Sequence, residues 1–203
     1  CSTAKEGEMR VVFPWVGCGE CPTCLRDEEQ LCAKPRHLGV GVPGGYADYV
    51  MVPHERYLLD YEGISAGLAA TYMCSGLTAF SALKKIGAVT DGDRILIIGA
   101  GGVGMMGIQF ARAMFDDKPL VVDIAKNKRQ AAIEAGAGIA YDASDPGVTK
   151  QIMTDTGGGV YAAVDFVGSE DSFAIATRAL RKGGKAIVVG LFGGAFTMPI
   201  PML

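Results

Sequence analysis

The stretch from Arg94 to Arg112 (Arg-Ile-Leu-Ile-Ile-Gly-Ala-Gly-Gly-Val-Gly-Met-Met-Gly-Ile-Gln-Phe-Ala-Arg) restricts the possible folds more than any other part of this chain. Ile95 to Ile98 are continuously apolar, as in a parallel strand covered on both faces. Glycines follow at positions 99, 101 and 104, after which apolar residues recur at three- and four-residue spacing, which predicts a helix. In such a strand–turn–helix, Gly99 permits the tight turn, Gly101 lets a pyrophosphate approach the backbone, and Gly104 lets the helix pack closely on its strand. The helix start, with Gly102 and Val103, offers unpaired N–H groups and a positive dipole end to phosphate oxygens.

A chain with 29 glycines can produce this spacing by chance, so the context has to decide. A second apolar run, Pro119 to Asp123, ends in an acid 24 positions after Gly99. A carboxylate there accepts hydrogen bonds from a ribose hydroxyl and repels an added phosphate, which selects NAD(H) over NADP. The competing reading is a glycine-rich turn with an ordinary strand-end aspartate. Beyond Asp123 the pattern predicts helices over 126–135, 146–154 and 170–180, and strands over 138–141, 162–167 and 185–191. Strands alternating with helices imply right-handed crossovers and a doubly wound parallel α/β sheet. Ligands bind beyond the strand C-termini of such sheets, so Gly99, Asp123, Val167-Gly168 and Val189-Gly190 are expected to rim one cleft.

The N-terminal part has a different chemistry. Cys18, Cys21, Cys24 and Cys32 are spaced C-x2-C-x2-C-x7-C. Short gaps turn three thiolates toward one centre, and the longer return supplies the fourth corner of a tetrahedron, as in a closed structural zinc site. An iron–sulfur cluster also takes four thiolates, but the ferredoxin run closes with a gap of three and a following proline, both absent here. Metal-ligand spacing rather than a disulfide framework favours a reduced, cytoplasmic setting. Around the cysteines the sequence predicts short strands at Met9–Phe13, stopped by Pro14, at Tyr46–Val52 and at Tyr57–Leu59, and a helix from about Ser65 to Lys85, capped by Ser65 and broken near Cys74-Ser-Gly76. His37 and His54, the two histidines, read as plain surface or core residues beside strand ends.

A net charge of −3 with no basic block argues against a nucleic-acid or anionic-membrane surface. The longest uncharged apolar run, Ile95 to Ala111, is short for a membrane span and is interrupted by the glycine turn. Residue 1 is Cys rather than Met, and the tail Met198–Leu203 is apolar to its last residue, so the sequence reads as a piece of a longer protein.

With a four-cysteine lobe placed before a dinucleotide fold, the chain closely resembles the zinc-dependent alcohol dehydrogenases of the medium-chain dehydrogenase/reductase superfamily. The similarity covers nearly all of its 203 residues. Residues 17–32 match the structural-zinc lobe, and Gly99-x-Gly101-x-x-Gly104 with Asp123 matches the NAD site. Lys128 matches a lysine that assists at the adenosine ribose, and Thr71–Phe80 matches the segment carrying a catalytic-zinc cysteine, here Cys74, and a threonine near the nicotinamide, here Thr78. Without the resemblance Cys74 reads as a small core residue. Trp15 resembles an aromatic of the substrate cleft in some members, and a core tryptophan is the other reading.

The resemblance implies a Rossmann domain over 74–203, preceded by part of a β-rich, GroES-like catalytic domain over 1–73. It implies reversible oxidation of an alcohol to an aldehyde or ketone, with zinc polarising the oxygen and NAD accepting hydride. It also implies a homodimer or homotetramer, with the apolar Met198–Leu203 end as an edge that seeks a partner. The family's first catalytic-zinc cysteine, its Gly-His-Glu motif and its proton relay are expected upstream of residue 1, since Cys1 lies too close to Cys18 to be that first ligand. The closing elements of the catalytic lobe are expected after Leu203. Zinc-free quinone or enoyl reductases of the same superfamily, a non-catalytic NAD-binding protein and a zinc-ribbon nucleic-acid binder are the alternatives.

Overall fold

A computed structural model of the chain describes residues 4–198 and 200; Cys1, Pro199 and the terminal Pro-Met-Leu of the apolar tail lie outside the described residues. The chain divides into two compact units, Cys1–Cys74 and Ser75–Leu203.

In the second unit five parallel strands form one sheet in the order β5-β4-β3-β6-β7. These are β3 (Ile95–Ile98), β4 (Leu120–Asp123), β5 (Ile139–Asp142), β6 (Val160–Asp165) and β7 (Leu180–Val188). Alternation within the strands builds a core on each face. Ile95 and Ile97 of β3 point to the side covered by α2 (Leu77–Lys84), α3 (Gly102–Met114) and α4 (Lys126–Glu134), where they meet Leu83, Ile108 and Ala132. Leu96 and Ile98 point to the side covered by α5 (Val148–Asp155) and α6 (Glu170–Arg178), where they meet Ile152 and Ala176. A fully buried side chain of this size contributes about 1.5–3 kcal/mol of transfer free energy. The strand order reverses beside β3, between β4 and β6, which opens a crevice at the C-terminal strand ends.

The predicted alternation is present with shifted limits. The last strand starts at Leu180 rather than 185 and ends at Val188, leaving Val189–Leu191 beyond it. Its register with β6 shifts between Val160 and Ala162, since Val160 pairs with Leu180 and Ala162 with Lys185, which leaves Arg181–Gly184 bulged out of the pairing.

The first unit has little regular structure. β1 (Val11–Val12) pairs antiparallel with β2 (Leu58–Leu59), and the Phe13 N–H extends the ladder to the Tyr57 carbonyl. The strand expected over Tyr46–Val52 is absent from the structure. Its alternation is strand-like, but no described segment lies alongside to take its backbone hydrogen bonds, and Tyr46, Tyr49 and Met51 are exposed. The helix expected from Ser65 forms as α1 (Ala66–Thr71), although the Ser65 side chain makes no capping bond. The expected break is a π-helical turn at Tyr72–Gly76 that runs on into α2. By length and hydropathy, Ala66–Lys84 is the one described helical stretch that could cross a membrane. Its second half instead packs Ala82 and Leu83 into the sheet core.

Candidate functional site

The glycine turn follows from one left-handed residue and one close approach. Gly99 has φ +89°, a left-handed conformation that side chains disfavour. A Cβ on Gly104 would lie 1.7 Å from the Gly99 carbonyl oxygen, so α3 can start here only with glycine at that position. Around Gly101 there is open space, as a pyrophosphate needs.

Asp123 ends β4 with its carboxylate almost enclosed, at 7% exposure. Oδ2 accepts the Ala100 N–H and Oδ1 accepts the Ala125 N–H, each at 2.8 Å. Each oxygen keeps a lone pair for a hydroxyl. Beside it, Arg129 donates to the Asp123 and Ile124 carbonyls and pairs with Asp142 at 2.8 Å. The Ser144 hydroxyl and the Arg129 charge hold the Asp142 carboxyl below the usual carboxylate range.

A cavity of about 710 Å³ opens at these strand ends. Gly99, Asp123, Lys128 and Val167 line it, as the sequence predicts, together with Ser169 and Phe192. Gly101, Gly102, Val103 and Gly104 form the turn and first turn of α3 beside it, and Val189-Gly190 follow β7 without lining it. Thr78 sits in the first turn of α2, half-buried and away from this cavity. The sequence reading passed over Asp165, Ser169, Ser172 and Phe192. Asp165 repeats the strand-end pattern of Asp123, with a glycine three residues later, and that was the available signal.

In the first unit the Sγ atoms of Cys18, Cys21, Cys24 and Cys32 all lie within 4.8 Å of one another. Separations of 3.5 Å for Cys21–Cys24 and 3.9 Å for both Cys18–Cys24 and Cys21–Cys32 are close to the edge of a zinc–thiolate tetrahedron. That edge is about 3.8 Å for Zn–S bonds of about 2.3 Å. Backbone N–H groups of Cys18 and Lys34 donate to the Cys32 sulfur, as thiolate ligands require. The Cys24 backbone N–H and neighbouring thiols lower Cys21 to about 6, whereas burial pushes Cys24 up to about 12. The four residues therefore fit a structural zinc ion. Glu29, in the return loop, accepts from the Gly17 N–H at 2.8 Å and the Tyr57 hydroxyl at 2.7 Å and pairs with Arg56.

Cys74 lies in the π-helical turn and is exposed, which removes the reading of it as a core residue. Among the described residues it belongs to no cluster of three or more metal-ligating side chains. Trp15 donates its indole N–H to the Met73 carbonyl at 2.8 Å and meets the edge of the His37 ring. His54 accepts the Arg56 N–H through Nδ1, and the enclosed Nδ1 of His37 has no hydrogen-bond partner among the described residues.

Comparison with known proteins gives the same assignment. Residues 102–203 match the zinc-binding dehydrogenase family, and residues 1–62 match the alcohol dehydrogenase GroES-like domain. An NAD-dependent alcohol dehydrogenase of Sulfurisphaera tokodaii is 38% identical over 201 residues, covering 98% of this chain and 58% of its own length. The alcohol dehydrogenase of Aeropyrum pernix superimposes with a TM-score of 0.84 at 28% identity, over 99% of this chain and 62% of its own. The fold is shared with the D-arabinose dehydrogenase of Sulfolobus solfataricus at a TM-score of 0.90 and 24% identity, over 98% of this chain and 63% of the other. This chain thus spans about 58% of the length of that curated relative. With its dinucleotide cleft and four-thiolate lobe in the order of that family, the chain belongs to the zinc-binding dehydrogenases, the zinc-dependent alcohol dehydrogenase group of the medium-chain dehydrogenase/reductase superfamily.

Proposed function

We propose that this chain carries the NAD site and the structural-zinc lobe of a dehydrogenase that interconverts an alcohol and an aldehyde or ketone. The observation that carries the reading is the cleft in which Asp123 faces the same cavity as Gly99, Lys128 and Val167. When bound, a catalytic zinc supplies Lewis acidity at the alcohol oxygen, and NAD takes up the hydride.

The chain's own residues bind and orient. The glycine turn and the start of α3 hold the pyrophosphate, Asp123 and Lys128 hold the adenosine ribose, and Val167 contributes to the apolar wall. Cys74 offers one exposed thiolate donor toward a catalytic zinc, and the Trp15 bond to Met73 steadies the turn that carries it. The unpaired cysteines support a reduced, cytoplasmic location, and family resemblance supports a homodimer or homotetramer, which sedimentation would measure.

Zinc content per chain together with NADH affinity tests the reading. One zinc that survives Cys74→Ala, with NADH bound, is the expected result. No zinc with NADH still bound would favour a zinc-free reductase, and absence of NADH binding would overturn the proposal.

A further inference from the structure

Asp165 is a fully buried carboxylate at the end of β6, and nothing in the reaction above uses it. Its Oδ1 accepts the N–H groups of Val167 and Gly168 at 2.9 and 3.0 Å, and its Oδ2 accepts the Ser172 hydroxyl at 2.8 Å. Ser172 in turn forms a reciprocal capping box with Ser169 at the start of α6. The Asp165 carbonyl accepts the N–H groups of Val189 and Gly190, at 2.8 and 3.0 Å.

From there the bonding continues to the cleft. Phe192 N–H donates to the Val167 carbonyl and Gly193 N–H to the Gly168 carbonyl. Backbone presses on backbone with no side chain between, since a Cβ on Gly168 would lie 2.0 Å from the Gly190 carbonyl oxygen. Val167, Ser169, Ser172 and Phe192 all line the cofactor cavity. The Asp165 side chain thus holds the Val167–Gly168 turn and Ser172, and backbone bonds carry that turn on to Phe192 and Gly193.

We infer that Asp165 is a positioning residue for the cofactor: its buried carboxylate fixes the β6–α6 turn, and through it Phe192, so that the cleft is formed before NADH enters. The inference rests on the NAD reading of the cleft. Asparagine keeps the Oδ1 acceptor and the shape, and the Ser172 hydroxyl can turn to the Ser169 carbonyl, 3.0 Å away. Alanine leaves the half-buried Val167 and Gly168 N–H groups without their acceptor.

The test is calorimetric titration of the 203-residue chain with NADH, at a temperature where circular dichroism shows each variant folded, alongside hydrogen exchange of the peptide spanning 166–170. Asp165→Ala is expected to weaken NADH at least tenfold and to speed exchange in that peptide, while Asp165→Asn stays within about threefold of the parent. If Asp165→Ala does not fold, Ser172→Ala removes the Oδ2 bond together with the Ser172 half of the capping box, and a loss of about threefold or more in NADH affinity is expected from it. Unchanged NADH affinity in folded Asp165→Ala, or in Ser172→Ala where that variant replaces it, overturns the inference even if stability falls. Failure of the parent chain to bind NADH would instead refute the cofactor reading, and the inference with it.

Discussion

At the scale of single residues, Asp123 has two tasks. Its carboxylate braces Ala100 in the glycine turn and Ala125 before α4, and its remaining lone pairs face the cavity. Hydrogen bonds to a charged group contribute about 1.5–3 kcal/mol each. Asp123→Ala is therefore expected to weaken NADH by about tenfold or more, and NADPH less, because the lost brace affects both cofactors while the repulsion of the added phosphate goes with the carboxylate. Asp123→Asn, which retains one acceptor, should lose less. Parallel titrations with both cofactors decide, and an alanine variant that gains NADPH affinity would show that the carboxylate only selects. The strand-end acid itself was legible in the sequence. The bond to Ala100 was not, because it depends on how two turns from separate crossovers come to lie together. Asp165 escaped for the same reason: its neighbours Gly168 and Val189 stood out, while the group that joins them is hidden between strands.

At the scale of elements, local pattern succeeded where an element carries its own partners and failed where it needs a distant one. β3, β4 and α3 form as the sequence predicts, since continuous apolar runs flanked by turn residues can only be buried. The Tyr46–Val52 segment has a strand's alternation but no described neighbour to pair with, and of the break expected near Cys74-Ser-Gly76 the sequence marked the place but not its π-helical form. One join between elements is testable by pH. Asp93 accepts from the Thr90 N–H and hydroxyl before β3 and pairs with Arg181 of β7 at 2.5 Å, which lowers its pKa from the usual value. A carboxyl depressed in the folded state adds stability above its unfolded pKa of about 3.9, and that stability is lost as pH falls through the folded value. Asp93→Asn should melt below the parent at pH 7, and the two melting curves should converge under more acidic conditions. A gap of equal size at both pH values would assign the effect to packing rather than charge.

At the scale of the whole molecule, the two units draw on different sources of stability. The Ser75–Leu203 unit has an apolar core on each face of its sheet. Among the described residues of Cys1–Cys74, the buried apolar side chains are Val11, Val16, Tyr57 and Ala69 with two of the cysteines, too few to hold a lobe with two-residue strands. Small domains short of core depend on a metal or a cross-link, and binding energy at a structural zinc site is folding energy. Burial of the Cys24 thiol, which favours its protonated form, makes the metal-free lobe a poor fit for four thiolates. Removing zinc with a chelator is therefore expected to abolish an unfolding transition in calorimetry that belongs to the first unit, while the transition of the second unit and its NADH affinity persist. Cys32→Ser should reproduce the chelated state without a chelator. Loss of NADH binding in step with zinc would mean that the cofactor cleft depends on the thiolate lobe, and a first transition that outlasts the metal would mean that the Glu29–Tyr57–Arg56 network suffices to hold the lobe.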